Sequence, residues 1–232
     1  MSPADSADRR SPVRLNYGAE LEQLRLQTEV MGLRVDQNLE RMRDVLLTGD
    51  TAVAAQAIAA DDEIDAMNVS LTERCYEVLA RETPVASDLR LVVSVVRATS
   101  ELERVGDLSL RVVKTGLEHD RLVAEARAYD ILCVLANQAI DMFRDAIRAW
   151  GTEDLELATH LATDPHLTDM AYAQLIDALV RLEGPDAVAV AMLMLIAGQA
   201  LDRISDHSAI LGTRLRYLIT GDPNHLAAEV RR

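Results

Sequence analysis

Aromatic residues are scarce in this chain: one Trp, one Phe and five Tyr, 3 % of 232 residues. Its core must therefore come from Leu, Val, Ala and Met. Glycine and proline are also few, at 10 and 6, which favours a helix-rich fold. Basic residues are outnumbered 38 to 24, leaving a formal charge of −14 and a pI near 4.7. That balance argues against nucleic acid, whose phosphates need a basic footprint, and against an anionic membrane surface. It suits cations, a basic partner, or simple solubility.

Cysteines are only two, Cys75 and Cys133, without CxxC spacing. Reduced cytosolic thiols are the expected state. The opening MSPADSADRRSPVRLNYG is polar and charged, with no apolar segment of the kind a secretion signal carries. The longest apolar run, Ala187 to Ala197, is well short of the roughly 20 residues needed to cross a bilayer. The expectation is a cytoplasmic protein with no direct membrane insertion and no nucleic-acid partner.

What is present is a repeated acidic motif. Leu102-Glu103-Arg104-Val105-Gly106-Asp107 and Leu201-Asp202-Arg203-Ile204-Ser205-Asp206 share one pattern, 99 residues apart (107 to 206). Each sets two carboxylates at i and i+4 on one helix face, where like charges repel by a few tenths of a kcal/mol. Installing that pair twice implies a use for clustered negative charge.

The flanking periodicity predicts six long helices, at about Leu15–Leu47, Thr51–Arg81, Ser87–Leu117, Asp120–Trp150, Glu153–Leu182 and Asp186–Ile219. Asp50 or Thr51 is the expected cap of the second, and Ser87 or Asp88 of the third. Thr48-Gly49-Asp50, Glu82-Thr83-Pro84, Gly151-Thr152 and Glu183-Gly184-Pro185 break the pattern. Short connections force antiparallel neighbours. The fold class is therefore all-α: two pseudo-repeated three-helix bundles of long antiparallel helices. A disordered arm is expected over 1–14, the bundles over 15–118 and 119–221, and a tail over 222–232. The first two helices recur at an offset near 103 (Asp61 onto Asp164), the third at 99.

In the third helix Arg90, Ser94, Arg97, Glu101 and Arg104 form a polar stripe, opposite a core face of Val92, Val95, Thr99, Leu102 and Gly106. Glu103 and Asp107 fall on the border between them. The second helix offers a matching row, Asp61, Asp65, Asn68 and Thr72, beside Ile58, Ile64, Leu71 and Cys75. Antiparallel packing brings Asp61 and Asp65 towards Glu103 and Asp107, an all-oxygen set suited to Mg²⁺, Mn²⁺, Ca²⁺ or iron. The second bundle is poorer. Thr168 stands where Asp65 stands, Asp169 comes one place late, and Asp164 precedes Pro165, which makes it a helix cap at a kink as readily as a ligand. The competing reading of each acid pair is surface ion pairing, since Arg104 and Arg203 lie three residues before Asp107 and Asp206. His207 reads as a solvent or helix-end histidine, with a nitrogen ligand as the alternative. Met192 and Met194 read as core, and Arg90 is expected to pair with a carboxylate.

Ala80-Arg81-Glu82-Thr83-Pro84-Val85-Ala86-Ser87-Asp88-Leu89-Arg90, followed by the Leu102–Asp107 motif, closely resembles the PhoU family of phosphate-uptake regulators. Ala200-Leu201-Asp202-Arg203-Ile204-Ser205-Asp206-His207-Ser208 and Asp61-Asp62-Glu63-Ile64-Asp65 are similar to further family segments. The likeness runs from about Tyr17 to Thr220. It implies two pseudo-repeated three-helix bundles and metal, as divalent ions or multinuclear iron, at Asp61, Asp65, Glu103, Asp107, Asp202 and Asp206, with Asp164 only in part. The sequence departs from the family at Asp202, where Glu is usual, and at Thr168. By the same resemblance the protein is a non-enzymatic negative regulator of phosphate uptake and the phosphate-starvation response. Its expected partners are the ATPase subunit of the phosphate ABC transporter, a phosphate-sensing histidine kinase and a second copy of itself, as a homodimer. No phosphate-cradling Gly loop or nucleophile–base pair is present. A carboxylate-bridged di-iron enzyme would need Glu-x-x-His ligands, which the chain lacks. A purely structural, oligomerising bundle is the other alternative.

Overall fold

The computed structural model describes residues 12–163 and 167–226. It is helical, with no strand among the described residues: α1 (Pro12–Thr48), α2 (Thr51–Glu82), α3 (Ala86–Gly116), α4 (His119–Val123), α5 (Ala126–Thr152), α6 (Leu155–Thr163), α7 (Leu167–Val180) and α8 (Ala187–Thr220). Of the six predicted helices, three are continuous as expected, and the expected sixth is α8.

The fourth is divided. Glu125 leaves helical geometry (φ −102°, ψ 62°), so a single turn, α4, precedes α5. Its Leu122 is fully buried at the end of the first bundle. The fifth is divided into α6 and α7, and residues 164–166 between them, Asp164 included, lie outside the described residues. The arm expected over 1–14 overlaps α1, which already runs from Pro12.

Local chemistry sets most helix starts. Asp50 caps α2 as predicted, its Oδ1 accepting from the backbone N–H groups of Ala52 (2.7 Å) and Val53 (3.2 Å). Neither Ser87 nor Asp88 caps α3. Thr83 turns left-handed before Pro84, the helix starts at Ala86, and Asp88 falls inside the first turn, accepting from the Tyr17 hydroxyl at 3.2 Å.

α1, α2 and α3 pack together, as do α5, α6, α7 and α8, and the two sets join through α1 against α5 and α3 against α8. Arg144 on α5 holds Asp36 (2.8 Å) and Glu40 on α1, and Arg25 on α1 holds Glu153. Thr28, Leu102, Ile147, Trp150 and Leu211 meet at the junction, so one core runs through both bundles.

α8 is long and apolar enough to cross a membrane by length and composition. It nevertheless carries Asp202, Arg203, Asp206 and His207 in its middle and lies packed along α3, α5, α6 and α7.

Burial also fixes the repeat. Ala54, Ala57, Ile64, Leu71 and Cys75 of α2 are buried, and so are Ala158, Leu161, Thr168, Leu175 and Leu179, each 104 positions on. The spacing for α2 is therefore 104, not 103. For α3 and α8 it is 99: Val95, Ala98, Leu102 and Val105 match Met194, Ala197, Leu201 and Ile204, all buried.

Candidate functional site

The border position of Glu103 and Asp107 on α3 turns both towards α2, where Asp61 and Asp65 wait. Asp61 is the anchor. Only 6 % exposed, it has an Oδ1 with no hydrogen-bond partner. That oxygen lies over Gly106, where a Cβ would come within 2.6 Å of it. Glycine at 106 is thus what admits the carboxylate to the α2–α3 contact.

Burial pushes Asp61 up to about 6, aided by repulsion from Asp65, Asp107, Glu103 and Asp62. Asp65 is raised by desolvation, then by Asp107 and Asp62. Glu103 is raised by desolvation, then by Asp107 and Asp65, with Arg104 opposing. All four predicted carboxylates of the first bundle therefore share one electrostatic neighbourhood. Among the described residues, no three Asp, Glu, His or Cys side chains converge tightly enough to hold an ion as placed. Mutual repulsion of bare carboxylates works against such convergence.

The ion-pair reading of this motif is not what the geometry shows. Arg104 turns back to Glu101 (3.3 Å) and not forward to Asp107.

In the second bundle Asp202 is half-buried and is pushed up to about 6 by desolvation, then by Asp206 and Asp169, against Arg203. Asp169 was missing from the predicted set. The 104 spacing places it, and not Thr168, at the position of Asp65, while Thr168 takes the buried place of Ile64. The signal was the apolar register of α7, which a one-residue slip concealed.

The polar stripe of α3 is interior at Ser94 and Glu101, while Arg97 and Arg104 stay exposed along its edge. Ser94 is fully buried and Glu101 is 3 % exposed, because this stripe packs on α8. His207 is accordingly neither a solvent histidine nor aimed at the carboxylates beside it: its Nδ1 lies 2.6 Å from Glu101 Oε2. Burial raises Glu101, but the His207 hydrogen bond and the charges of His207, Arg104 and Arg97 outweigh it and hold the carboxyl below its ordinary value. Among the described residues Arg90 meets no carboxylate. Its guanidinium lies against Gly221 at the C-terminal end of α8 (3.2 Å from a Cβ placed there), where exposed carbonyls favour a cation. Met194 is core as expected, whereas Met192 is 59 % exposed, and of the apolar row on α2 Ile58 is likewise exposed.

A PhoU domain matches twice, over residues 28–115 and 132–215. The chain belongs to the PhoU family. A "Phosphate-specific transport system accessory protein PhoU homolog" of Pseudomonas aeruginosa is 30 % identical over 213 residues, covering 90 % of this chain and 88 % of that protein. The crystal structure of PhoU from Pseudomonas aeruginosa superposes with a TM-score of 0.81 at 30 % identity, over 89 % of this chain and all of that one. The regulatory protein PhoU of the phosphate transport system of Streptococcus pneumoniae shares the fold, with a TM-score of 0.76 at 23 % identity over 89 % and 98 % of the two chains. Both PhoU repeats carry one acidic motif on their third helix, Glu103/Asp107 and Asp202/Asp206, and each motif shares its neighbourhood with an acid of the preceding helix.

Proposed function

We propose that this chain is a non-enzymatic, cytoplasmic regulator of phosphate homeostasis. It lowers phosphate uptake and the phosphate-starvation response by contacting the ATPase subunit of the phosphate ABC transporter and a phosphate-sensing histidine kinase, and it acts as a homodimer. Membership of the PhoU family, whose relatives are named as accessory proteins of phosphate-specific transport, supports the reading.

Divalent or iron ions are assigned to Asp61, Asp65, Glu103 and Asp107, and more weakly coordinated ones to Asp202 and Asp206 beside Asp169. Asp164, the further ligand assigned by resemblance, lies outside the described residues. The observation that carries the metal assignment is the orphaned, buried Oδ1 of Asp61 above Gly106, surrounded by acids. Oxygen-only donors with several negative charges suit hard or borderline cations. A bound cation would neutralise the repulsion and fix the α2–α3 surface shown to a partner.

Isothermal titration with Mn²⁺, Fe²⁺, Zn²⁺ and Mg²⁺ tests this on wild type and on Glu103→Ala/Asp107→Ala. Loss of the tightest binding in the double variant is expected, and unchanged binding removes these residues from the site. Capture of the purified ATPase subunit and kinase tests the regulatory half, and failure of both refutes it.

A further inference from the structure

We infer that the groove between α7 and the first three turns of α8 is a docking site for an amphipathic, basic-flanked helix of a partner protein. Ile176 and Val180 on α7 face Val188, Met192 and Leu195 on α8 around a groove of about 340 Å³. All five are exposed, Val180 by 80 % and Val188 by 74 %. An apolar surface of this kind, contiguous and rimmed by charge, marks an interaction site.

At the matching positions of the first bundle, 104 and 99 residues earlier, Thr72 stands for Ile176, whereas Tyr76, Leu89 and Val93, matching Val180, Val188 and Met192, are apolar and exposed as well.

Charge identifies the occupant. Glu183 and Asp186 are exposed at the tip of the groove. Asp177 beside it is matched by Arg181 at 2.8 Å. The tip is net negative. A second copy brought face to face would set these acids against themselves, and an anionic bilayer would be repelled. A helix with Leu-type anchors at i, i+4 and i+7 and Lys or Arg at either end satisfies both surfaces.

The inference rests on the adaptor reading for the existence of a protein partner. Its test is fluorescence polarisation on the full chain with three labelled 16-residue helical peptides of one composition of anchors: Lys-flanked, Glu-flanked and scrambled. Met192→Asp changes an exposed side chain, so the fold is kept, and Glu183→Gln/Asp186→Asn leaves the groove apolar. Expected are binding of the Lys-flanked peptide alone, at least tenfold weakening by Met192→Asp, and about threefold weakening by the neutralised tip. Equal binding of the Glu-flanked peptide, no binding of any peptide, or indifference to Met192→Asp overturns it. So does self-association in sedimentation velocity, or flotation with phosphatidylcholine or phosphatidylglycerol vesicles, that Met192→Asp abolishes. Capture of the transporter ATPase and kinase, run on the same variants, separates the two readings. Full capture by Met192→Asp sinks the groove alone, whereas failed capture by wild type with intact peptide binding sinks the adaptor assignment alone.

Discussion

Asp61→Asn should stabilise the metal-free protein at neutral pH. Asp61 ionises near 3.8 in an unfolded chain and at about 6 in the folded one, a gap of roughly two units at ~1.4 kcal/mol each, or about 3 kcal/mol. A raised folded value means that the native state binds the proton more tightly, so the unfavourable contribution is absent below about pH 3.8 and complete above about pH 6. Asn has the same shape without the charge, but its amide must find an acceptor, which costs on the order of 1 kcal/mol. The net gain is therefore about 1–2 kcal/mol at pH 7.5. For a chain of this length that raises Tm by about 3–6 °C. Differential scanning fluorimetry in EDTA at pH 7.5 and pH 4 reads both the gain and its disappearance in acid. Saturating Mn²⁺ should reverse the order, stabilising wild type more than the variant. A destabilised variant at pH 7.5, or the same shift at both pH values, would refute the argument that ionised Asp61 is a strained group awaiting a cation.

Three other outcomes follow from the packing. His207→Leu leaves Glu101 buried with Arg104 still paired to it at 3.3 Å, and should cost about 2–4 kcal/mol in urea denaturation. Because the folded Glu101 carboxyl is held low, its stabilisation is present above the ordinary carboxylate range and lost as pH falls through the folded value. The variant should therefore show a shallower acid-unfolding profile. Gly116→Ala would set a Cβ 3.0 Å from the backbone of Val45 and Leu46; calorimetry should show a loss of about 1–3 kcal/mol, because the clash of backbone with side chain exceeds the ~1 kcal/mol of helix propensity gained. Gly106→Ala displaces the Asp61 carboxylate and should weaken Mn²⁺ affinity by about tenfold or more by titration calorimetry, without changing the far-UV circular dichroism.

The ends of α2 and the duplication were legible in the sequence because both rest on local or periodic signals, whereas the divisions at Glu125 and 164–166 and the start of α3 were not. Asp50, the Glu82-Thr83-Pro84 break and the buried spacing of Val95, Leu102 and Val105 announce themselves within a few residues. The grouping of Asp61 and Asp65 with Glu103 and Asp107 was legible too, since antiparallel packing of neighbouring helices follows from a short turn. Three further things were not. The α7 register depended on where a helix resumes after 164–166, and a slip of one residue exchanged Asp169 for Thr168. The exposure of Met192 depended on α8 being left uncovered at its start, which composition does not report. The burial of Ser94 and Glu101 depended on a partner helix more than a hundred residues away.

α3 shows why that last failure is general. Glu101 and Glu103 are two residues apart, hence about 200° apart around the axis, and they serve opposite neighbours. Glu103 looks to α2 and its acids, where charge accumulates; Glu101 looks to α8 and His207, where charge is matched. A single amphipathic helix has one buried face, but a helix at the centre of two bundles has two, and its polar stripe becomes a seam. The seam places a charge-matched contact within one turn of Glu103 on α3 and immediately beside Asp206 on α8. The Glu101–His207 hydrogen bond, 2.6 Å long, ties α3 to α8 within a turn of each acidic motif. The i,i+4 pattern did not contain that contact, because its two partners lie 106 residues apart in sequence.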